Sequence, residues 1–144
     1  MAVSASTEFD LNAPLSLVME VLLDVESLPD WSGPHKSAEI LSEDSEGRPG
    51  RVKVAVSAVG ITDEQTLDYT WTDTTCTWDL VESGQLSEQH GVYTLTDNGD
   101  TTHVKFDLTV DLKIKMPGLL IKRAQKTAVD TARKGLTDEV KRRS

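Results

Sequence analysis

Residues 103–143 read HVKFDLTVDLKIKMPGLLIKRAQKTAVDTARKGLTDEVKRR, and this stretch decides the fold. His103 to Leu112 alternates strictly. Val104, Phe106, Leu108, Val110 and Leu112 fall on one face of a strand; His103, Lys105, Asp107, Thr109 and Asp111 fall on the other. Met116-Pro117-Gly118 then leads into one long helix ending near Arg143. At roughly 100° per residue, Leu120, Ile121, Ala124, Thr127, Ala128, Thr131, Ala132 and Gly135 share one arc, while Lys122, Arg123, Lys126, Arg133, Lys134 and Lys141 share another. A helix laid on a sheet normally fills the gap with Leu, Ile and Phe, because protein interiors are close-packed. Small residues from Ala124 onward predict a hollow between helix and sheet, with room for an apolar ligand. Gly135 in mid-helix costs about 1 kcal/mol relative to Ala, so it implies close approach to another element or to a ligand.

Towards the N-terminus, Val3 to Asp10 alternates as a first strand. Asn12 and Pro14 open a helix over Leu15–Leu23, with Leu15, Val18, Met19, Leu22 and Leu23 on one face. Asp24 to Trp31 reads as a short second helix, stopped at Leu28-Pro29. Strands follow at Lys36–Glu43, Arg51–Ala58, about Thr62–Thr72, Cys76–Ser83 and Leu86–Thr96, with a bend at Gly60. Asn98-Gly99 before the His103 strand is a hairpin signal in which both central residues take positive φ. The order is strand, helix, short helix, six strands, long helix. Short turns force antiparallel pairing, so the expected fold is α+β: a curved antiparallel sheet of about seven strands under a long C-terminal helix.

The chain has 144 residues and no internal linker, which predicts one domain over 1–144. A chain of this size buries about 70% of its unfolded surface. Its single Cys76 excludes an intramolecular disulfide and offers no metal-site spacing. No apolar run approaches the ~20 residues of a membrane span. The segment Met1 to Thr7 lacks the basic start and apolar centre of a signal peptide, so a cytoplasmic location is expected. The net charge is −9, against nucleic acid as a partner. Residues 1–112 carry 5 Lys and Arg against 21 Asp and Glu; residues 113–144 carry 10 against 3. Either the acidic sheet and basic helix attract each other within the fold, or the basic helix makes weak contact with an anionic membrane surface. The chain is expected to be a monomer.

Several segments resemble one family. Asn12-Ala13-Pro14 followed by Val18 and Val21-Leu22-Leu23-Asp24 is similar to the first helix of the START-like, or SRPBCC helix-grip, superfamily. Val25-Glu26-Ser27-Leu28-Pro29-Asp30-Trp31 resembles its D-(I/V)-E-x-(Y/L)-P-x-W signature. Gly91-Val92-Tyr93-Thr94-Leu95 resembles its G-x-Y-x-L strand, and Val110-Asp111-Leu112 with Met116-Pro117-Gly118 its approach to the last helix. The likeness covers nearly the whole chain. It points to the polyketide cyclase/dehydrase and coenzyme-Q-binding types, most of all to small actinobacterial members. It implies the helix-grip fold and a hydrophobic ligand, but folds of this kind host carriers, sensors, cyclases and co-chaperones alike.

Alternation places Leu67, Tyr69 and Trp71 on one face, as it does Cys76, Trp78 and Leu80, and Gly91, Tyr93 and Leu95. Aromatic walls with a few polar tips suit a ligand pocket, and equally suit core filling. The candidate ligand-binding residues are Trp31, His35, Tyr69, Trp71, Trp78, Tyr93, Leu120, Ala124, Thr127, Ala128 and Thr131. The resemblance puts Trp31 at the pocket mouth, as a gate or as a staple for the short helix. His35 either reaches that mouth or is a surface loop histidine. His90 and His103 alternate outward into solvent. Asp63 and Gln65 share parity with Leu67 and Tyr69, which makes both candidates to enter the cavity at one end; the favoured alternative for Asp63 is water at the hairpin. No histidine is placed to activate Cys76, and there is no Ser-His-Asp set, metal cluster, phosphate loop or sign of a cofactor. No catalytic residue is assigned. The leading expectation is a carrier or binding module for a lipid, quinone or polyketide-like molecule. The alternatives are a cyclase or dehydratase, and an interaction module of co-chaperone type with a packed interior.

Overall fold

A computed structural model of the chain describes residues 2–144; Met1, part of the leader reading, lies outside the described residues. Seven strands, β1 (Ala2–Leu11), β2 (His35–Ile40), β3 (Arg51–Ala58), β4 (Ile61–Trp71), β5 (Thr75–Ser83), β6 (Leu86–Asp97) and β7 (Thr102–Leu112), form one sheet. Its order is β1-β7-β6-β5-β4-β3-β2, antiparallel throughout. The first strand thus closes against the last, Val3 facing Val110 and Phe9 facing Val104. Register shifts interrupt β2/β3, β4/β5 and β6/β7. Such bulges bend a strand and raise its twist, which lets the sheet curl around what it grips.

Between β1 and β2 lie α1 (Leu15–Leu23), a 3₁₀ turn (Val25–Ser27) and α2 (Leu28–Trp31). After β7 come α3 (Gly118–Asp130), a π-helical stretch (Thr131–Gly135) and α4 (Leu136–Arg143), continuous in direction because the residues joining them are all right-handed helical. The α+β helix-grip arrangement is as the alternation of the His103–Leu112 strand and the arc of the last helix implied.

Three local expectations are corrected. Pro29 does not stop a helix; it sits in the first turn of α2, where a missing N–H costs little. The second strand is His35–Ile40 rather than Lys36–Glu43, because the chain turns away at Leu41 into the 42–50 loop. Asn98-Gly99 is not the central pair of its hairpin: the Asn98 N–H reaches the Thr101 carbonyl around Gly99-Asp100, and of these residues only Gly99 has positive φ (86°). The turn with positive φ at both central residues is Val59-Gly60, at 47° and 81°, joining Ala58 to its partner Ile61. A valine there is strained, since a branched Cβ crowds the left-handed region.

The core is concentrated where α1 meets α4. Val18, Val21, Leu22 and Val25 pack with Leu136, Val140 and the sheet residues Phe9, Leu95 and Val104. Beneath α3 the packing thins: no α3 residue is buried, although Ala128 still touches the core and Gln125 bonds the Ser4 carbonyl of β1.

Candidate functional site

The space under α3 is a cavity of about 250 Å³, open to solvent. Its floor is the concave sheet face. An aromatic row crosses that floor strand by strand: Tyr69 on Trp78 at 5.9 Å between ring centroids, Trp78 on Tyr93 at 5.7 Å, Tyr93 on Phe106 at 5.0 Å. Gly91, paired with Trp78 across β5 and β6, makes this possible. A Cβ at that position would overlap the indole, so only glycine lets Trp78 lie flat there. The roof is the small-residue face, Ala124, Thr127, Ala128, Thr131 and Ala132. Leu22, Val25 and Leu28 close the α1–α2 side. Among the described residues, no Asp, Glu, Lys or Arg lines the cavity.

Most of the candidate residues border this space: Trp31, His35, Tyr69, Trp78, Tyr93, Ala124, Thr127, Ala128 and Thr131. Two do not. Trp71 is buried but turns its indole N–H to the Pro49 carbonyl at 2.7 Å, so the 42–50 loop plugs that end of the strand. Leu120 has the right angular position but lies one turn before Ala124, beyond the end of the hollow.

Trp31 stands between the cavity and a shallow outer depression lined by Asp30, Gly33, Gly135, Asp138, Glu139 and Arg142. Its carbonyl lies so close to Gly135 that a Cβ on residue 135 would collide with it. That explains the mid-helix glycine. The Trp31 indole N–H is buried with no partner, an unmade bond of the kind that carries a penalty of about 1–3 kcal/mol.

His35 is not a loop residue. It opens β2 and borders the cavity, its Nδ1 2.6 Å from the Oγ of fully buried Ser32. Burial pulls its pKa down to about 4, so the ring is neutral at pH 7. Desolvation pushes the phenols of Tyr69 and Tyr93 and the thiol of Cys76 well up, keeping all three protonated. His90 and His103 are outside, on Asp79 and on Glu8 with Asp10.

Asp63 was expected in water and is instead buried. Its carboxylate accepts from the Gly84 N–H at 3.0 Å, from Gln65 Nε2 at 3.2 Å and from the Ser83 hydroxyl. The β5–β6 turn folds over it. Gln65 in turn accepts from Gln89 Nε2 at 2.9 Å, and Gln89 accepts from the Trp78 indole at 3.0 Å. Gln89 escaped the sequence reading although its parity matches Gly91 and Tyr93, because polar strand residues are ordinarily read as solvent-facing.

Residues 11–137 match the family described as polyketide cyclase / dehydrase and lipid transport. The chain belongs to this family. A START superfamily protein from Mycobacterium smegmatis superposes with a TM-score of 0.88 at 20% identity, covering 98% of this chain and 99% of its own. A protein from Thermus thermophilus gives 0.81 at 24%, covering 98% and 99%. The Zhui aromatase/cyclase from a Streptomyces species gives 0.77 at 19%, covering 99% and 96%. At these identities the likeness is one of fold. No curated protein matches the sequence.

Proposed function

We propose that this member of the family binds or carries a hydrophobic small molecule, a lipid, quinone or polyketide-like compound, in the cavity between the sheet and α3. The observation that carries this reading is an uncharged cavity of about 250 Å³ under a helix half that buries none of its own residues. Ligand pockets are mostly apolar with a few placed polar groups, and this volume lies just under the ~300–1,000 Å³ usual for drug-sized ligands. One compact molecule, or part of a longer one, fits. Burial of apolar surface supplies affinity at roughly 25 cal/mol per Å² before ordering costs. Trp31 acts as the gate. The cavity also favours this reading over an interaction module, which calls for a packed interior.

The test is native mass spectrometry of the protein purified from its own host, beside Ala128→Trp. A co-purified apolar compound that disappears in the variant, with the fold retained, supports the reading. A compound that stays bound to the variant places binding elsewhere.

His35 favours a second reading, a cyclase or dehydratase, because it is the one imidazole bordering the cavity among the described residues. With a pKa near 4 it is neutral at pH 7 but a weak base. Turnover of a polyketide-like substrate lost on His35→Gln or Tyr93→Phe, with binding intact, would select that reading.

A further inference from the structure

The chain of side chains at one end of the cavity has only one self-consistent arrangement of hydrogens. The Trp78 indole can only donate, so the Gln89 group facing it is the oxygen. Gln89 then presents its nitrogen to Gln65, which must accept through Oε1 and turn its own nitrogen to Asp63. The far end agrees independently. Ser83 Oγ accepts from the N–H groups of Gln85 at 3.1 Å and Leu86 at 2.9 Å, so its hydrogen goes to Asp63, and Asp63 is left as an acceptor. Both amides are therefore oriented from both ends of the relay.

Each glutamine nitrogen carries two hydrogens and spends one within the relay. Gln65 is 8% exposed, Gln89 is half-buried, and both border the cavity. Each amide oxygen already accepts one bond. Buried N–H groups left unpaired are rarer and costlier than half-used carbonyl oxygens, so this end of the cavity asks for an acceptor. The walls also set the charge. With no Lys or Arg along them and a neutral His35, a carboxylate or phosphate would be buried without a counter-charge, which is strongly unfavourable.

We infer that the Gln65–Gln89 pair is the polar recognition end of the cavity, and that it selects a neutral ligand bearing a carbonyl-type oxygen on an apolar body, an aryl ketone or quinone. This rests on the cavity being a binding site and adds what it discriminates.

Three probes of one shape separate the possibilities: 2-acetylnaphthalene, 2-ethylnaphthalene and 2-naphthoate, titrated into the full chain at pH 7.5 by calorimetry. The ketone should bind about tenfold more tightly than the hydrocarbon, the worth of one or two well-made neutral hydrogen bonds, with the carboxylate weakest. In Gln89→Leu the ketone's advantage should vanish while the hydrocarbon's affinity holds. On the unaltered protein, the ¹⁵N side-chain amide signals of Gln65 and Gln89 should shift with the ketone and stay in place with the hydrocarbon, a readout independent of whether the variant folds. Equal affinity for ketone and hydrocarbon, or tightest binding by the carboxylate, overturns this inference and leaves the cavity as a binding site. No binding by any of the three overturns both.

Discussion

The two halves of the C-terminal helix share one axis and opposite fates. In α4, Leu136, Glu139 and Val140 are buried, Leu136 completely, and Glu139 is held by Arg142 and by Arg143, which also reaches Asp24 at 2.9 Å. In α3 nothing is buried; Gln125 reaches the Ser4 carbonyl at the β1 edge at 2.8 Å, and the other cavity-lining residues of α3 stop at the size of Ala and Thr. The difference is one of division of labour along a single element. The α4 half clamps the helix to α1 with large side chains, and that clamp lets the α3 half stand off the sheet. A helix held only by α3's contacts would collapse onto the aromatic floor, because unfilled apolar volume forfeits dispersion contacts.

A pair of substitutions, one in each half, tests the two fates most severely. Leu136→Ala should cost about 2–5 kcal/mol of stability in urea titrations, the range for deleting a fully buried leucine. Ala128→Leu, which adds bulk on the other half, should cost less than about 1 kcal/mol, since a cavity receives it. An overpacking cost of about 1–3 kcal/mol at residue 128 would mean the hollow is not there.

Gly135→Ala probes the junction between the halves. In an exposed helix the change stabilises by about 1 kcal/mol. Here the added methyl meets the Trp31 carbonyl, so a net loss of about 1–3 kcal/mol is expected, together with faster exchange of any bound probe as Trp31 is displaced. A net gain in the same urea titration would show that Trp31 yields freely.

His35 reports on the hollow side by pH. Its folded pKa near 4 lies below the unfolded value of about 6.5, so between those pH values the unfolded chain binds more protons. Stability should therefore be full above pH 7 and fall as pH drops from about 6.5 toward 4, with a slope of at most about 1.4 kcal/mol per pH unit from this group. His103, raised by Glu8 and Asp10, works with the opposite sign: its contribution is present at low pH and lost as pH rises through its folded pKa. The urea midpoint followed against pH in His35→Gln should lose the acid-side slope that His35 supplies.

The smallest effect belongs to the Val59-Gly60 turn, which follows the cavity residues Val56 and Ala58. Val59→Asn should raise stability by about 0.5–1 kcal/mol, because Asn tolerates positive φ. An unchanged melting temperature would indicate that the turn carries no strain.

Much of this was legible in the chain. The alternation of the last strand named its inward face, and Phe106, Leu108 and Val110 do border the cavity. The small residues of the last helix marked its roof. The misses have a common cause. Trp71 and Leu120 have the right periodicity and the wrong position along their elements, which periodicity does not encode. Asp63 was misjudged and Gln89 passed over because a polar residue on a strand is read as wet until its partners are known, and their partners lie 20 and 24 residues away at Ser83 and Gln65. The π-helical stretch beside Trp31 has no sequence signature comparable to a proline or a cap.

Residue order alone settles which face each element buries, since side-chain direction follows from a period of 2 or 3.6, and with short turns it settles the antiparallel order and the helix that closes it. It does not settle whether the space between those faces is filled. That volume is a small difference between two large opposed surfaces, set by bulges, by the glycines under Trp78 and Trp31, and by how firmly α4 is clamped. It exists only once distant segments have been brought together.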